Sequence, residues 1–300
     1  MGSPSRVVVV GDVVTDVLAL LTAPLNAGSD TAATIRVTGG GQAANTAAWL
    51  ASYGRPVTLV AAVGDDESGR ARLAELTSLG VECAVRRCSD APTGTVIVLA
   101  EGEERTMVTQ RGANLRLTAD DVEAALDAGP QVRHLHLSAY PLLDAVSRGA
   151  GLSALAGARR RALTTSVDAA SAEPLRRIGA AVFLDWVRGV DLLLANEEEA
   201  AVLSGARTAE RAARSLTAVA RNVVVKQGGA GAVWACRDGA LIRAAAQRVP
   251  VVDPTGAGDA FAAGLLSAWV VGAEPEAALA RAVEFGAAAV SVVGARPVTG

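Results

Sequence analysis

The order of apolar and polar positions along the chain predicts strands and helices in alternation. Short apolar runs at 7–10 and 57–63 have the pattern of buried strands, and the second leads through a turn into a helical pattern at 69–79. Strands that are separated by helices pair in parallel through right-handed crossovers. We therefore expect an α/β fold with a three-layer α/β/α body.

From residue 118 onward the alternation is regular. It predicts the strands 132–137, 162–168, 190–195 and 221–226. It predicts the helices 119–127, 142–156, 173–187, 197–219 with a break at Gly205, 257–271 and 275–290.

Residues 81–112 interrupt this alternation. Three β-rich runs, 81–87, 93–100 and 105–110, follow one another with turn residues and no helix between them, which predicts antiparallel hairpins. A further strand is expected at 34–38. We therefore predict a single domain over 1–300, in which segments at about 12–38 and 81–112 form a small β-sheet lid.

Composition and charge narrow the function classes. Apolar residues make up 51% of the chain, so a substantial core is possible, and a net charge of −3 provides no basic field that would attract nucleic acid or an anionic membrane. No uncharged apolar run reaches 18 residues, and the amino terminus lacks the pattern of a signal peptide. The expectation is a cytoplasmic protein that acts on neither nucleic acid nor membranes.

The segment 253–259 is the strongest candidate for chemistry. It is a Gly-rich turn that leads directly into an apolar helix, and Gly256 and Gly258 have no Cβ to keep a ligand from the backbone. The free amides and the dipole of a helix start attract an anion. Asp259 stands in this anion site, either as an ordinary helix stabiliser or as a group that takes a proton during phosphoryl transfer to a hydroxyl.

Two segments near the amino terminus are candidates for binding a polyol. Gly40 and Gly41 open a helix in which Asn45 could hydrogen-bond hydroxyl groups, although a plain strand–helix turn has the same pattern. Asp16 lies just past the first strand, where open α/β sheets bind ligands. A solvated loop acid is the alternative for Asp16.

Two further segments are candidates for the nucleotide side. Asn196 and Glu199 follow a predicted strand, where acids either stabilise a helix start or hold water around a hard cation such as Mg²⁺. Lys226, the single lysine of the chain, precedes a turn that contains Gly228 and Gly231. This turn is either a hairpin or a Gly-rich wall against a nucleotide with Lys226 near the phosphates.

Taken together, these segments resemble the ribokinase-like, or PfkB, family of carbohydrate kinases. The segment 253–259 is similar to the carboxyl-terminal signature of that family, and 40–45 with 63–69 is similar to its amino-terminal signature. The resemblance implies a ribokinase-like fold, with a Rossmann-like body and a β lid. It also implies ATP-dependent phosphorylation of a hydroxymethyl group, with Asp259 as the general base. It implies an anion hole formed by Gly256, Ala257 and Gly258.

The same resemblance implies roles for the other segments. Magnesium would be organised through water by Asn196 and Glu199. The nucleotide would contact Lys226, Gly228 and Gly231, and the acceptor would contact Asp16, Gly40, Gly41 and Asn45.

The resemblance also implies a monovalent cation beside the anion hole, with potassium as the candidate. Asp253, Thr255 and the tail near Gly294 are the positions expected for it. The sequence departs from the family pattern at Pro254, which replaces the usual threonine and removes one backbone donor. The tail after Ser291 is short, which weakens the expectation of a monovalent cation.

The acceptor is predicted from the lid segments. Residues 12–38 and 81–115 contain no aromatic side chain that could stack on a base. They contain polar and charged groups instead, namely Asp16, Asn26, Arg36, Arg105, Thr109 and Arg111. Because such groups suit hydroxyls and the arginines suit a carboxylate, we expect a sugar or sugar acid.

Two alternatives stay open. One is a nucleoside kinase of the same family, in which Tyr140 would stack on the base. The other is a non-catalytic protein that binds a sugar or a nucleotide, against which the presence of Asp259 and Glu199 argues. We also expect a homodimer, because lids of this family commonly pair between subunits and because the alternating Val96, Val98 and Ala100 give the lid an apolar face.

Overall fold

The computed structural model describes residues 5–101, 104–127 and 132–297, apart from the side chains of residues 101, 104 and 105. Nine strands of this part form one large sheet. Their spatial order is β13 (Leu241–Ala244), β12 (Ala232–Cys236), β11 (Asn222–Lys226), β10 (Leu192–Asn196), β9 (Thr164–Asp168), β8 (Val132–Ser138), β1 (Arg6–Val10), β4 (Val57–Gly64) and β5 (Glu82–Cys88). The pairings from β5 to β11 are parallel, and β12 and β13 join antiparallel at one edge.

Helices cover both faces of this sheet. They are α1 (Gln42–Ser52), α2 (Glu67–Ser78), α3 (Ala119–Leu126), α4 (Tyr140–Leu143), α5 (Arg148–Arg160), α6 (Ala172–Ile178), α7 (Ala180–Trp186), α8 (Glu197–Ser204), α9 (Ala209–Leu216), α10 (Ala257–Trp269) and α11 (Pro275–Val290). Side chains alternate across a strand, so Val7 and Val9 of β1 enter one apolar core, and Val8 and Val10 enter the other. The predicted three-layer α/β/α body is confirmed.

A second sheet forms the lid. Its order is β3 (Ala33–Gly40), β2 (Val14–Leu21), β6 (Gly94–Glu101) and β7 (Glu104–Gln110). Strand β2 is parallel to β6 and antiparallel to β3. The sequence analysis missed β2, because Thr15 and Asp16 interrupt its apolar pattern.

The predicted lid boundary at 81 is wrong. The run 81–87 becomes β5, which pairs in parallel with β4 at the edge of the large sheet. Because α2 connects β4 and β5, these three elements form a crossover of the body rather than an antiparallel hairpin. Within the described residues, the lid strands lie at 14–40 and 94–110.

The histidines of β8 lie in the core under α10. His134 Nε2 and His136 Nδ1 are each 2.7 Å from the Ser166 hydroxyl, and burial lowers the pKa of His134 to about 3 and that of His136 to about 4. They are packed, neutral core residues, as their alternation on one strand predicts.

The topology places the functional edge of the sheet. After β1 the chain first adds β4 and β5 on one side and later adds β8 to β11 on the other, so the strand order reverses between β1 and β8. Ligands of open α/β sheets bind outside the carboxyl ends of the strands at such a point. No helix among the described residues is both long and apolar enough to cross a bilayer.

Candidate active site

A cavity of about 560 Å³ lies between the lid and the carboxyl edge of the large sheet. The lid contributes Val96, Val98, Met107 and Thr109 to its wall. Six of the predicted site residues also line it, namely Asp16, Gly41, Asn45, Thr255, Gly256 and Asp259. A smaller cavity of about 410 Å³ lies at the amino ends of β9 to β11, remote from every predicted site residue. The larger cavity is therefore the candidate active site.

Asp259 lies in the first turn of α10, directly after Gly256. The backbone at Gly256 has a positive φ of 75°, and a Cβ there would lie 2.6 Å from the Cα of Ala295, so only glycine fits. The Asp259 carboxylate accepts a hydrogen bond from Asn45 Nδ2 at 2.8 Å. Burial raises the pKa of Asp259 to about 8, and the nearby carboxylate of Asp168 adds to this. The group can therefore accept a proton near neutral pH.

The anion hole lies at the start of the same helix. The Ala257 amide donates a long hydrogen bond of 3.3 Å to the Pro254 carbonyl, which an incoming anion can replace. At Gly258 a Cβ would lie 3.3 Å from the Lys226 Nζ. The ammonium group of Lys226 therefore faces the first amides of α10, and both attract negative charge to one place.

A buried ion pair holds Lys226. Its Nζ lies 2.7 Å from Asp168 Oδ2, and Asp168 at the end of β9 is only 1% exposed. Burial alone lowers the pKa of Lys226, but the carboxylates of Asp168 and Glu199 outweigh it and the pKa is raised. The sequence analysis missed Asp168, although an acid at the carboxyl end of a parallel strand is the same signal that selected Asp16.

Asn196 and Glu199 form the amino-terminal cap of α8. The Asn196 side chain accepts a hydrogen bond from the Glu199 amide, and the Glu199 carboxylate accepts from both the amide and the side chain of Asn196, each at 2.8 Å. Glu199 is 3% exposed, and burial raises its pKa to about 7 against the opposing charge of Lys226. The helix-cap and the magnesium interpretations of Asn196 and Glu199 are therefore both compatible with the structure, because this cap also holds a carboxylate beside the Lys226–Asp168 pair.

The predicted acceptor residues lie together where the lid strands β2 and β3 join the body. A Cβ at Gly40 would lie 2.2 Å from the Asp16 carboxylate, and Gly41 has a φ of 100° with the Asp12 carbonyl 2.5 Å from the position of a Cβ. The two glycines therefore allow the backbone at the end of β3 to lie close to Asp16 of β2 and to Asp12, which precedes β2. Burial raises the pKa of Asp16 to about 6, although Arg296 lowers it in part.

Arg296 is a buried residue of the site that the sequence did not reveal. Its Nε donates to Asn45 Oδ1 at 3.2 Å, and its Nη2 donates to the Gly40 carbonyl at 3.0 Å. Because the Asn45 oxygen is thereby occupied, its amide NH₂ group is turned toward Asp259. Glu75 pairs with Arg296 at 2.9 Å. The tail had been considered only for the potassium site.

The lid residues proposed for the acceptor separate in the structure. Thr109 and Arg111 line the cavity, whereas Arg36 is not among its lining residues and Asn26 belongs to an exposed turn with Asp30 and Thr31. Placing Asn26 and Arg36 at the acceptor is therefore wrong for this structure, because both lie away from the cavity wall. Arg105 is in β7, and its side chain lies outside the described residues.

Arg111 and Tyr140 form a contact that the sequence did not predict. The guanidinium group of Arg111 lies 4.3 Å from the centre of the Tyr140 ring and 3.6 Å from Asp12 Oδ2. One face of the Tyr140 ring is therefore covered by a cation rather than open to the cavity.

The remaining predicted residues have structural partners. At Gly231 φ is 100° and a Cβ would lie 2.0 Å from the Ala244 carbonyl, so the turn after β11 requires glycine there, while Gly228 has open space around it. The Asp253 carboxylate accepts hydrogen bonds from Thr255 and from the Gly294 amide, at 2.6 to 3.0 Å. These bonds tie the tail to the anion-hole turn, and a potassium ion at this turn stays a prediction.

Comparisons with known proteins identify the family of the chain. The family described as pfkB family carbohydrate kinase matches residues 4–299. The chain is 32% identical over 263 residues to the 2-dehydro-3-deoxygluconokinase of Thermoproteus tenax, which covers 85% of this chain and 79% of that protein. It is 30% identical over 263 residues to the ATP-dependent ribose-1-phosphate kinase of Halopiger xanaduensis, which covers 87% of this chain and 83% of that protein.

A solved structure shows the same architecture. The adenosine kinase of Sinorhizobium meliloti superposes with a TM-score of 0.89 over 99% of this chain and 97% of its own, at 24% sequence identity. That identity supports a shared fold and does not carry over the acceptor. The family match, in contrast, spans nearly the whole chain. The chain therefore belongs to the pfkB family of carbohydrate kinases and is an ATP-dependent phosphotransferase that acts on an alcohol group.

Proposed function

We propose that this kinase transfers the γ-phosphoryl group of ATP to a hydroxymethyl group of a sugar or sugar acid bound between the lid and the body. The observation that supports it is one juxtaposition. Gly256 and Asp259 line the cavity at the start of α10, and the Lys226 ammonium group faces the same helix start beside Gly258. This is a proton acceptor beside an anion site.

Each of these residues has its own role in the phosphoryl transfer. Asp259 takes the proton of the acceptor hydroxyl as the oxygen forms its bond to the γ-phosphorus, and the bond from that phosphorus to the ADP oxygen breaks. The amides of Gly256, Ala257 and Gly258 and the charge of Lys226 stabilise the transferred group. Asn45, held in orientation by Arg296, keeps the Asp259 carboxylate aimed into the cavity.

The residues near Lys226 fit a magnesium ion that arrives with ATP. No group of three or more acidic, histidine or cysteine side chains among the described residues could hold a metal alone. Mg²⁺ usually keeps several waters and takes phosphate oxygens, so one buried carboxylate beside the phosphates is a sufficient partner. Glu199 would hold such an ion through water, and the ion would neutralise phosphate charge.

The cavity wall supports a hydroxyl-rich acceptor over a nucleoside. The lid residues that face the cavity are Val14, Asp16, Val96, Val98, Met107 and Thr109, none of which is aromatic. Tyr140 is the aromatic side chain of the wall, and Arg111 covers one face of its ring. A base would therefore have to displace this guanidinium group or stack on the opposite face.

We further propose a homodimer through the lid, but through a different face from the one expected. Val96 and Val98 line the cavity, so the face that they share is turned toward the body. The opposite face carries a row of apolar side chains in register, among them Val37, Ile97 and Val108, which are 60%, 42% and 56% exposed. Light scattering tests this, because a Val37→Glu substitution should convert a dimer into a monomer. A wild-type monomer at micromolar concentration would contradict the proposal.

A side-by-side kinase screen tests the function. ATP and Mg²⁺ are held fixed, and sugars, sugar acids and nucleosides are compared by ADP release and by ³¹P NMR of the product. We expect a sugar or sugar acid to exceed every nucleoside in kcat/KM. A nucleoside that reacts tenfold faster than all sugars would establish the alternative, and absence of any ATP-dependent product would favour a non-catalytic binding protein.

A further inference from the structure

One arginine on the cavity wall has no charged partner. Helix α6 contributes Pro174, Arg177 and Ile178 to the wall. The neighbouring Arg176 points elsewhere on the same helix and pairs with Glu198 at 2.6 Å and with Glu173 at 3.5 Å. Within the described residues no carboxylate pairs with Arg177, although it is as close in sequence to these acids as Arg176 is.

The other cation of the wall is engaged, and so are its acids apart from Asp16. Arg111 lies 3.6 Å from Asp12 and covers Tyr140, and Asp259 accepts from Asn45. Asp144, beside α4, accepts a hydrogen bond from the Val146 amide at 2.9 Å. Arg177 is thus the cation of this wall whose charge is available to a ligand.

The wall that carries Arg177 is separate from the one that carries the base. Asp259 and the anion hole belong to α10, whereas α6 follows β9 and begins at Ala172. An acceptor whose hydroxymethyl group reaches Asp259 would therefore present another part of the acceptor molecule to α6. The planar guanidinium group offers paired N–H donors that match the two oxygens of a carboxylate or phosphate.

From this juxtaposition we infer that the acceptor carries an anionic group, a carboxylate or a phosphate, away from the hydroxymethyl group that is phosphorylated, and that Arg177 binds it. The inference rests on the proposed function, since it names the class of acceptor for the same cavity. Arg177 then determines specificity, because a neutral acceptor of the same shape would leave its charge without a partner.

The test compares acceptors in matched pairs. D-Gluconate and D-glucitol share a six-carbon chain and differ at the carboxylate, and ribose 1-phosphate and methyl ribofuranoside differ at the phosphate. Each pair is assayed with the wild type, with Arg177→Met, with Arg177→Lys and with the control Arg176→Met. The two pairs separate a carboxylate acceptor from a phosphate acceptor.

We expect the wild type to prefer the anionic member of its better pair by about tenfold or more in kcat/KM, as for a charge-assisted hydrogen bond pair. Arg177→Met should remove this preference by lowering kcat/KM for the anionic member. Arg177→Lys should retain part of the preference, because it keeps the charge and loses the fork. Arg176→Met should match the wild type.

Three results would overturn the inference. The neutral member could be preferred, the preference could survive in Arg177→Met, or Arg177→Met could raise the KM for ATP equally with all acceptors, which would assign the arginine to the nucleotide. If no member of the panel is phosphorylated, the proposed function fails on this panel, and calorimetry with D-gluconate and inorganic phosphate decides the inference instead. Binding that Arg177→Met abolishes supports the anion site, and no binding by the wild type refutes it.

Discussion

Replacing Asp259 by asparagine separates its chemical role from its structural one. The asparagine keeps the shape of the side chain. Its oxygen can still accept the hydrogen bond from Asn45, which is 2.8 Å long in the wild type. It cannot take a proton, so kcat should fall by about 10²–10⁴-fold. The affinity for ATP should be unchanged, because the amides of α10 and Lys226 remain. In the wild type, kcat/KM should rise with pH up to a pKa of about 8, the value to which burial raises Asp259.

The same substitution should raise the free energy of unfolding, although it lowers activity. The folded protein holds the Asp259 proton up to about pH 8, whereas the unfolded chain releases it near 3.8. Between these values the folded state binds more protons than the unfolded state, so the contribution of this group to the free energy of unfolding is lost as the pH rises. At about 1.4 kcal/mol per pKa unit the upper limit is about 5–6 kcal/mol at pH 8.

Urea unfolding of the wild type and Asp259→Asn near pH 5 and near pH 8 measures this difference. The variant should be more stable, and its advantage should grow between the two pH values. Asp185→Asn, in which the substituted side chain is 77% exposed, is the matched control and should show no such growth. Turnover near the wild-type level would refute the assignment of the base. A stability difference that is independent of pH would refute the electrostatic reasoning.

Three further substitutions examine the other parts of the site. Glu199→Gln should raise the Mg²⁺ concentration required for activity and leave the acceptor KM unchanged, and an acceptor-only defect would contradict this. Lys226→Met should remove turnover and lower the free energy of unfolding by about 3–5 kcal/mol, because it leaves the Asp168 charge buried and unpaired. Adding Asp168→Asn should restore stability in urea unfolding without restoring turnover. Gly40→Ala should raise the acceptor KM but not the KM for ATP, since the new Cβ displaces the Asp16 carboxylate.

Prediction from the sequence succeeded where a feature depends on neighbours along the chain. The turn 253–259 is predicted to be an anion site because two glycines and an acid lie next to a helix start, and the structure places that turn at the start of α10. The cap of α8 is likewise local, since Asn196 and Glu199 lie one helical turn apart. The errors concern pairing, because the residues of β5 have no local feature that assigns them to the large sheet rather than to the lid.

The face of the lid that meets the body also required the structure. Residues on both faces of β6 are apolar, so the sequence at 94–101 does not show which face meets the body. The position of the cavity decides that Val96 and Val98 face the body, and that Ile97 is on the outer side. The apolar face formed by Val96 and Val98, which the sequence analysis offered for a dimer, therefore faces the cavity, and a dimer through the lid stays a proposal.

The sequence by itself determined the alternation of strands and helices, the glycine turns and the acid at the start of α10, because periodicity, turn preference and helix capping act over a few residues. Only the tertiary structure decided which distant residues complete the site. Arg296 reaches Asn45 across 251 positions of sequence, and Lys226 reaches Asp168 across 58. These contacts depend on the order and register of the parallel strands, which the packing of the whole sheet between its two helix layers fixes.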